Sequence, residues 1–140
     1  MTVGVVDESV PLDIASMSFV NPITALGLVE AIKNCKSKVA VQNGAASQLG
    51  RMIMKVCATE GITLINIVRR DEQVKMLKEE HGQKYVLNSK SEGFHDELKA
   101  LCKELKATVM LDAVQGDEFG KVLECLPSRS TAYCYGALSE

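Results

Sequence analysis

The stretch K-V-A-V-Q-N-G-A-A-S-Q-L-G, residues 38–50, decides the fold of this chain. Its apolar run Val39–Val41 predicts a strand, and the small residues that follow predict a tight turn opening into a helix. Unpaired backbone N–H groups and the positive end of the helix dipole then point at one spot, which suits a phosphate. The dinucleotide fingerprint G-x-G-x-x-G is degenerate here, since its glycine positions read Ala45, Ser47 and Gly50.

Composition limits the classes of protein that remain. The chain has 140 residues, of which 46% are hydrophobic, and this suits one domain with a single core. No apolar run approaches the roughly 20 residues that span a bilayer. The net charge of −2 offers no basic face for nucleic acid. Residues 1–12 resemble a tail or the stub of a preceding segment rather than a signal peptide, and residues 13–140 are expected to form the domain.

The five cysteines follow no C-x-x-C or zinc-ribbon spacing. Because they stand in apolar surroundings, they predict reduced and mostly buried thiols in an intracellular protein. We therefore expect no metal site, with a metal or disulfide role as the less favoured interpretation.

Two patterns of apolar residues alternate along the chain: short apolar runs typical of strands, and apolar residues spaced three or four apart as in amphipathic helices. The first helix is expected to start at Asn21-Pro22 with Asn21 as its cap, and Asp71 is expected to cap a later one. Such alternation requires right-handed crossovers, so we predict an α/β fold of the Rossmann type. Its parallel sheet has about five strands in the order 3-2-1-4-5, with helices on both faces. The predicted strands are Val39–Val41, Ile62–Val68, Tyr85–Leu87, Thr108–Leu111 and Thr131–Tyr135.

The end of the second predicted strand discriminates between cofactors. An acidic residue there would bind the ribose hydroxyl of NAD, whereas an arginine favours the 2′-phosphate of NADP(H). The chain has Arg69 and Arg70, each able to grip a phosphate through paired hydrogen bonds. A solvated surface pair is an equally good interpretation from position alone. The small-residue turn upstream favours the phosphate.

Four segments together resemble one family. They are F-V-N-P-I-T-A at 19–25, V-Q-N-G-A-A-S-Q-L-G at 41–50, I-N-I-V-R at 65–69, and the pair L-D-A-V at 111–114 and Y-G-A at 135–137. In this order and spacing they resemble the nucleotide-binding domain of the medium-chain dehydrogenase/reductase superfamily. The branch they resemble most holds zinc-independent quinone reductases and 2-enoyl thioester reductases.

The resemblance implies roles for individual residues but identifies no catalytic one. Gly44, Ala45, Ala46, Ser47, Gln48 and Leu49 would cradle a pyrophosphate, and Arg69 with Arg70 would hold the 2′-phosphate. Asn21, Thr24, Tyr135, Gly136 and Ala137 would lie near the nicotinamide. Two positions depart from the family pattern: Gln48 where a small residue is usual, and Gln115 where D-A-V-G has glycine. Asp112 is expected to serve as a turn or helix cap at least as readily as a ligand contact.

The resemblance also implies a second, catalytic domain that this stretch of sequence does not contain. We therefore expect the NADP(H)-binding domain of an oxidoreductase that transfers hydride to a quinone or an activated C=C, with little turnover by the isolated chain. The fifth strand would be a sheet edge, where we expect either self-association or a segment that covers it. The implied location is the cytoplasm or the mitochondrion. One alternative is a non-catalytic NADP(H)-binding sensor or scaffold module. A methyltransferase-like domain is disfavoured, because it would need an acid where Arg69-Arg70 stands.

Overall fold

A computed structural model describes residues 5–139 and contains one parallel five-stranded sheet. The strand order is β3-β2-β1-β4-β5, which confirms the predicted 3-2-1-4-5 order. Each observed strand end lies within one residue of its predicted position, because buried strands between turn residues are well marked in this sequence. The strands are β1 (Val39–Gln42), β2 (Thr63–Val68), β3 (Tyr85–Asn88), β4 (Val109–Asp112) and β5 (Thr131–Cys134).

The described residues contain six helices, of which α2 to α6 pack against the sheet. Helices α2, α3 and α4 bury their apolar side chains in one cluster, and α5 and α6 bury theirs in a second cluster on the opposite face. Helices therefore cover both faces of the sheet, as predicted. Among the helices of residues 5–139, none is long and apolar enough to cross a membrane. They are α1 (Leu12–Ser16), α2 (Val20–Asn34), α3 (Gln48–Thr59), α4 (Asp71–Glu79), α5 (Phe94–Leu105) and α6 (Asp117–Glu124).

The strand sequences explain this double coverage. Along β1, Ala40 packs with the α2 and α3 cluster, while Val41 packs with the α5 and α6 cluster. Successive side chains of a strand point to opposite faces, so a strand covered on both sides must be apolar at every position. Leu64 and Ile65 of β2 divide between the two clusters in the same way.

Two predicted helix caps are wrong. Helix α2 already begins at Val20, with Phe19 in the cap position, and the Ile23 amide donates to the Phe19 carbonyl. Asn21 therefore lies inside the first turn, where the neighbouring Pro22 needs no acceptor for an N–H. Helix α4 has Arg70 at its cap position, so Asp71 is its first helical residue.

Candidate functional site

The carboxyl ends of β1 and β4 lie side by side at the centre of the sheet. Helix α3, which follows β1, packs on one face, and α6, which follows β4, packs on the other. In open α/β sheets ligands bind in the crevice that opens where successive connections leave in opposite directions. The predicted turn at 44–50 borders this crevice.

Gly44 and Ser47 shape the turn between β1 and α3. Gly44 has φ of +59°, a left-handed conformation that glycine adopts without strain. Ser47 is the α3 cap, and its hydroxyl oxygen accepts a hydrogen bond from the Gly50 amide at 3.0 Å. The left-handed backbone, which favours glycine, thus occurs at residue 44. The fingerprint would place its first glycine one residue later, at Ala45. Because the turn is made at Gly44, neither Ala45 nor Ser47 has to be glycine.

Gly50 has a separate reason to be glycine. A Cβ added there would lie 2.5 Å from the Ala45 carbonyl oxygen. Ala45 is fully buried, and its own amide donates to the Ile67 carbonyl of β2 at 3.3 Å. The turn is thereby pressed between α3 and the end of β2, which matches the role of the third fingerprint glycine in helix–strand packing.

Three amides at the start of α3 are donors without an acceptor among residues 5–139. They are the backbone N–H groups of Ala46, Gln48 and Leu49. These donors lie at the positive end of a 12-residue helix dipole. The side chain of Gln48 is held by the adjoining helices, since it accepts from Asn21 Nδ2 at 3.1 Å and donates to Met17 Sδ at 3.1 Å. The turn at 44–50 is therefore suited to bind an anion, and we call it the anion-binding turn.

Arg69 and Arg70 follow β2 directly and are exposed. Neither guanidinium has an ion-pair partner within residues 5–139. The Arg69 backbone is fixed by α4, because its amide donates to Gln73 Oε1 at 3.2 Å. Since Ala45 is bonded to Ile67, the arginines and the turn share one end of the sheet. Two exposed cationic side chains thus stand at the same end of the sheet as the anion-binding turn.

Asn43 and Asp112 join the ends of β1 and β4 at the floor of the crevice. Asp112 is fully buried, and its carboxylate accepts hydrogen bonds from the Asn43 side-chain amide and from the Gln115 amide. Asn43 Oδ1 accepts the Ala113 amide at 2.7 Å. The turn role expected of Asp112 is confirmed, whereas sequence reasoning missed Asn43. The available signal was a pair of polar residues at the same end of two adjacent buried strands.

The segment Tyr135–Ala137 continues from β5 along the same edge of the sheet. The Tyr135 amide donates to the Asp112 carbonyl at 2.9 Å, and a Cβ on Gly136 would lie 2.7 Å from the Ala113 carbonyl oxygen. Burial, and secondarily the Asp112 charge, raise the pKa of Tyr135 to about 12. This segment therefore lies beside the crevice, opposite the anion-binding turn.

The remaining predicted site residues lie on α2. Asn21 is tied to the anion-binding turn through Gln48. The Thr24 hydroxyl donates to the Val20 carbonyl of its own helix at 2.7 Å.

All five cysteines are free thiols, and three of them are buried. Within the described part of the chain, no group of three or more His, Cys, Asp or Glu side chains could hold a metal ion.

Comparison with known proteins identifies a family of dehydrogenases and reductases. The model of the family described as zinc-binding dehydrogenase matches residues 49–140. The mitochondrial enoyl-[acyl-carrier-protein] reductase of Arabidopsis thaliana is 30% identical over 145 residues, which cover 96% of this chain and 37% of that protein. The corresponding reductase of Caenorhabditis elegans is 28% identical, covering 96% of this chain and 40% of its own length. The chain thus spans about two fifths of the curated relatives it matches.

Solved structures show the same fold. A proposed NADPH:quinone reductase from Mesorhizobium loti is 32% identical with a TM-score of 0.88, covering 94% of this chain and 38% of that one. A mutant enoyl thioester reductase from Candida tropicalis has a TM-score of 0.72 at 22% identity, covering 93% and 38%, and supports the fold alone.

The fold and the turn define a dinucleotide-binding α/β domain. The chain belongs to the zinc-binding dehydrogenase family, as a nucleotide-binding domain of the medium-chain dehydrogenase/reductase superfamily. Although the family is named for zinc, residues 5–139 contain no group of three or more His, Cys, Asp or Glu side chains that could bind it.

Proposed function

We propose that this chain is the NADP(H)-binding domain of an oxidoreductase that transfers hydride to a quinone or an activated C=C. One observation supports this most directly: at one end of the sheet, three amides at the start of α3 and two exposed arginines have no partner among residues 5–139. The 44–49 turn would hold the pyrophosphate, and Arg69, with Arg70, the 2′-phosphate. When bound, the nicotinamide would supply the hydride.

Residues of two segments would hold the nicotinamide end of the cofactor. Asn21 and Thr24 lie on α2, and residues 135–137 follow β5. Asn43 and Asp112 bond each other, so they hold the crevice floor in place rather than meet the ligand.

The names of similar proteins support the substrate class. The Arabidopsis relative is named an enoyl-[acyl-carrier-protein] reductase, and the Mesorhizobium structure a proposed NADPH:quinone reductase. Both reactions would use a hydride acceptor with an electron-poor double bond. We further propose an intracellular location, in the cytoplasm or in the mitochondrion where the named relatives of Arabidopsis and Caenorhabditis act.

Ligand-dependent thermal stability tests the cofactor assignment. NADPH should raise the melting temperature, because a ligand that binds only the native state stabilises it. NADH should raise it much less, since it lacks the 2′-phosphate, and S-adenosylmethionine should leave it unchanged. Arg69→Ala should remove most of the difference between NADPH and NADH.

A matched control removes a positive charge elsewhere. Lys103 is exposed in the last turn of α5, at the other end of the sheet, so Lys103→Ala should keep the full NADPH response. Equal responses of the wild-type chain to NADPH and NADH would contradict the assignment of Arg69. A response to S-adenosylmethionine alone would favour a methyltransferase-like domain instead.

We propose that a second domain completes the active site. Holding a substrate at attacking distance from a nicotinamide contributes roughly 7–11 kcal/mol to lowering a barrier. The matched relatives are more than twice as long as this chain, which is enough additional sequence for such a domain. NADPH oxidation by the isolated 140-residue chain with an enoyl thioester or a quinone should therefore be minimal, and enzyme-like rates would overturn this part of the proposal.

An apolar surface at the start of α2 fits the second domain. It consists of exposed large apolar side chains on α1, on α2 and between them, close to the Asn21–Gln48 contact that borders the anion-binding turn. A domain seated there would cover this surface and form the outer wall of the crevice. These side chains are Leu12, Ile14, Met17, Phe19, Val20, Ile23 and Leu26.

We also propose self-association through β5. This strand is the last of the sheet, and its end residues Thr131 and Cys134 are exposed. An uncovered edge offers backbone groups that can pair with a second copy. Sedimentation at high concentration should show a dimer, and a strictly monomeric profile would count against it.

A further inference from the structure

Gln115 adopts a backbone conformation that favours glycine. It follows β4 in the loop before α6 and has φ of +57°, which is uncommon for a residue with a side chain. Its side-chain Nε2 donates to the Gly136 carbonyl at 2.7 Å, across 21 residues of sequence. A single side chain therefore joins the loop after β4 to the segment after β5.

The buried Asp112 holds the Gln115 backbone in this conformation. The Gln115 amide donates to both carboxylate oxygens of Asp112, at 3.2 and 3.1 Å, and the Val114 amide lies 3.4 Å from one of them. Asp112 is itself fully buried and bonded to Asn43. The direction of the Gln115 side chain is thus fixed from the floor of the crevice.

The segment after β5 runs closely along the loop after β4. The Leu138 amide donates to the Ala113 carbonyl at 3.1 Å, and the Ser139 amide to the Val114 carbonyl at 3.0 Å. Between these contacts and β5 lies Gly136, pressed against Ala113. The Gly136 carbonyl is the group that Gln115 holds.

Fixing that carbonyl also fixes a donor. A trans peptide plane points its C=O and the following N–H in opposite directions. No acceptor among residues 5–139 receives the Ala137 amide. With the Gly136 carbonyl turned to Gln115, the Ala137 N–H is turned away from it and stays available to a ligand oxygen.

We propose that Gln115 is a positioning residue that orients the Gly136–Ala137 peptide for the nicotinamide half of the cofactor. This rests on the proposed NADP(H) function and adds a residue that touches no cofactor atom. The nicotinamide carboxamide carries the oxygen acceptor that the Ala137 amide would meet. The adenosine and 2′-phosphate half lies by the anion-binding turn and Arg69, so Gln115 should not affect it.

The test separates the two halves of the cofactor. Gln115→Gly keeps the left-handed backbone, which glycine adopts freely, and removes only the side chain. Affinity for NADP⁺ should fall about 2- to 10-fold, the effect of one hydrogen bond. Affinity for adenosine 2′,5′-bisphosphate, which lacks the nicotinamide, should not change. Gln115→Asn also tolerates positive φ, but is one methylene shorter and should behave like Gln115→Gly.

Amide hydrogen exchange provides a readout without ligand. In Gln115→Gly, the amides of 136–139 should exchange faster, while those of β1 and α3 keep the wild-type rates. Unchanged NADP⁺ affinity, or an equal loss of both ligands, would overturn the role of Gln115 while the proposed function stands. If the wild-type chain bound neither ligand, the proposed function would fail and this positioning role with it.

Discussion

Two turns at the centre of the sheet have the same topological position and opposite chemistry. The turn after β1 is made of small residues and leaves three amides without an acceptor among residues 5–139. The turn after β4 surrounds a buried carboxylate, that of Asp112, which accepts the Gln115 amide. The first turn is suited to receive an anion, and the second already contains one.

This difference assigns the two sides of the crevice. A phosphate is stabilised by unpaired amides and a helix dipole, and is repelled by a buried negative charge. Phosphate groups should therefore lie on the β1 side, toward Arg69, and the nicotinamide end of a dinucleotide, which carries no phosphate, on the β4 side, toward Tyr135. The contrast between the two turns thus indicates which way round a dinucleotide would lie in the crevice.

The largest expected effect comes from blocking the first turn. Gly50→Ala places a Cβ 2.5 Å from the Ala45 carbonyl oxygen, so the backbone of the turn must move. We expect stability to fall by about 1–3 kcal/mol, as in overpacked sites, and the melting-temperature response to NADPH to disappear. Urea unfolding and thermal shift measure the two effects.

Gly27 provides the matched control for that substitution. A Cβ on Gly27 would meet nothing within 4 Å, and Gly27 lies in the interior of α2. Gly27→Ala should stabilise the chain by about 0.5–1 kcal/mol, because alanine favours a helix over glycine. If Gly50→Ala unfolded at the wild-type urea concentration and kept its NADPH response, the close-packed turn would not be the binding site.

The next effect, expected on stability alone, comes from removing the charge in the second turn. Asp112→Asn replaces one acceptor oxygen by an NH₂ group, which cannot accept from the Gln115 amide or from Asn43. We expect the free energy of unfolding to fall by about 1–3 kcal/mol, the effect of leaving a buried polar group unpaired. Asp13 is exposed in the first turn of α1, so Asp13→Asn should change stability by less than about 0.5 kcal/mol.

The sequence predicted the sheet better than the details of either turn. Continuous apolar runs such as that of β2 mark a buried parallel strand, so the strand bounds and order could be read directly. The cap assigned to Asn21 is wrong. Asn and Pro are common at the start of a helix, but α2 begins one residue before Asn21, at Val20, with Phe19 in the cap position. The glycine that the family pattern has at position 115 was a signal for a left-handed backbone there. The bond from Gln115 to Gly136 could not be predicted, since the two segments meet only in the folded sheet.

The smallest expected effect concerns the proton of Tyr135. Burial first, and the Asp112 charge second, raise its pKa from 10.0 to about 12. A nearby negative charge disfavours the tyrosinate, so Asp112→Asn should lower this pKa, while burial keeps it above 10.0. Tyrosinate absorbance against pH, compared with Tyr135→Phe to assign the transition, measures the shift.

The same pKa gives the pH dependence of stability a definite sign. Because the folded state holds the Tyr135 proton more tightly, this stabilisation is fully present below the unfolded pKa of about 10 and is lost as pH rises toward 12. Asp112→Asn should make that loss shallower, and Asp13→Asn should leave it unchanged. If the Tyr135 titration were the same in Asp112→Asn and the wild-type chain, the buried charge would not reach the β5 side of the crevice. The contrast between the two turns would then not extend to the nicotinamide end of the ligand.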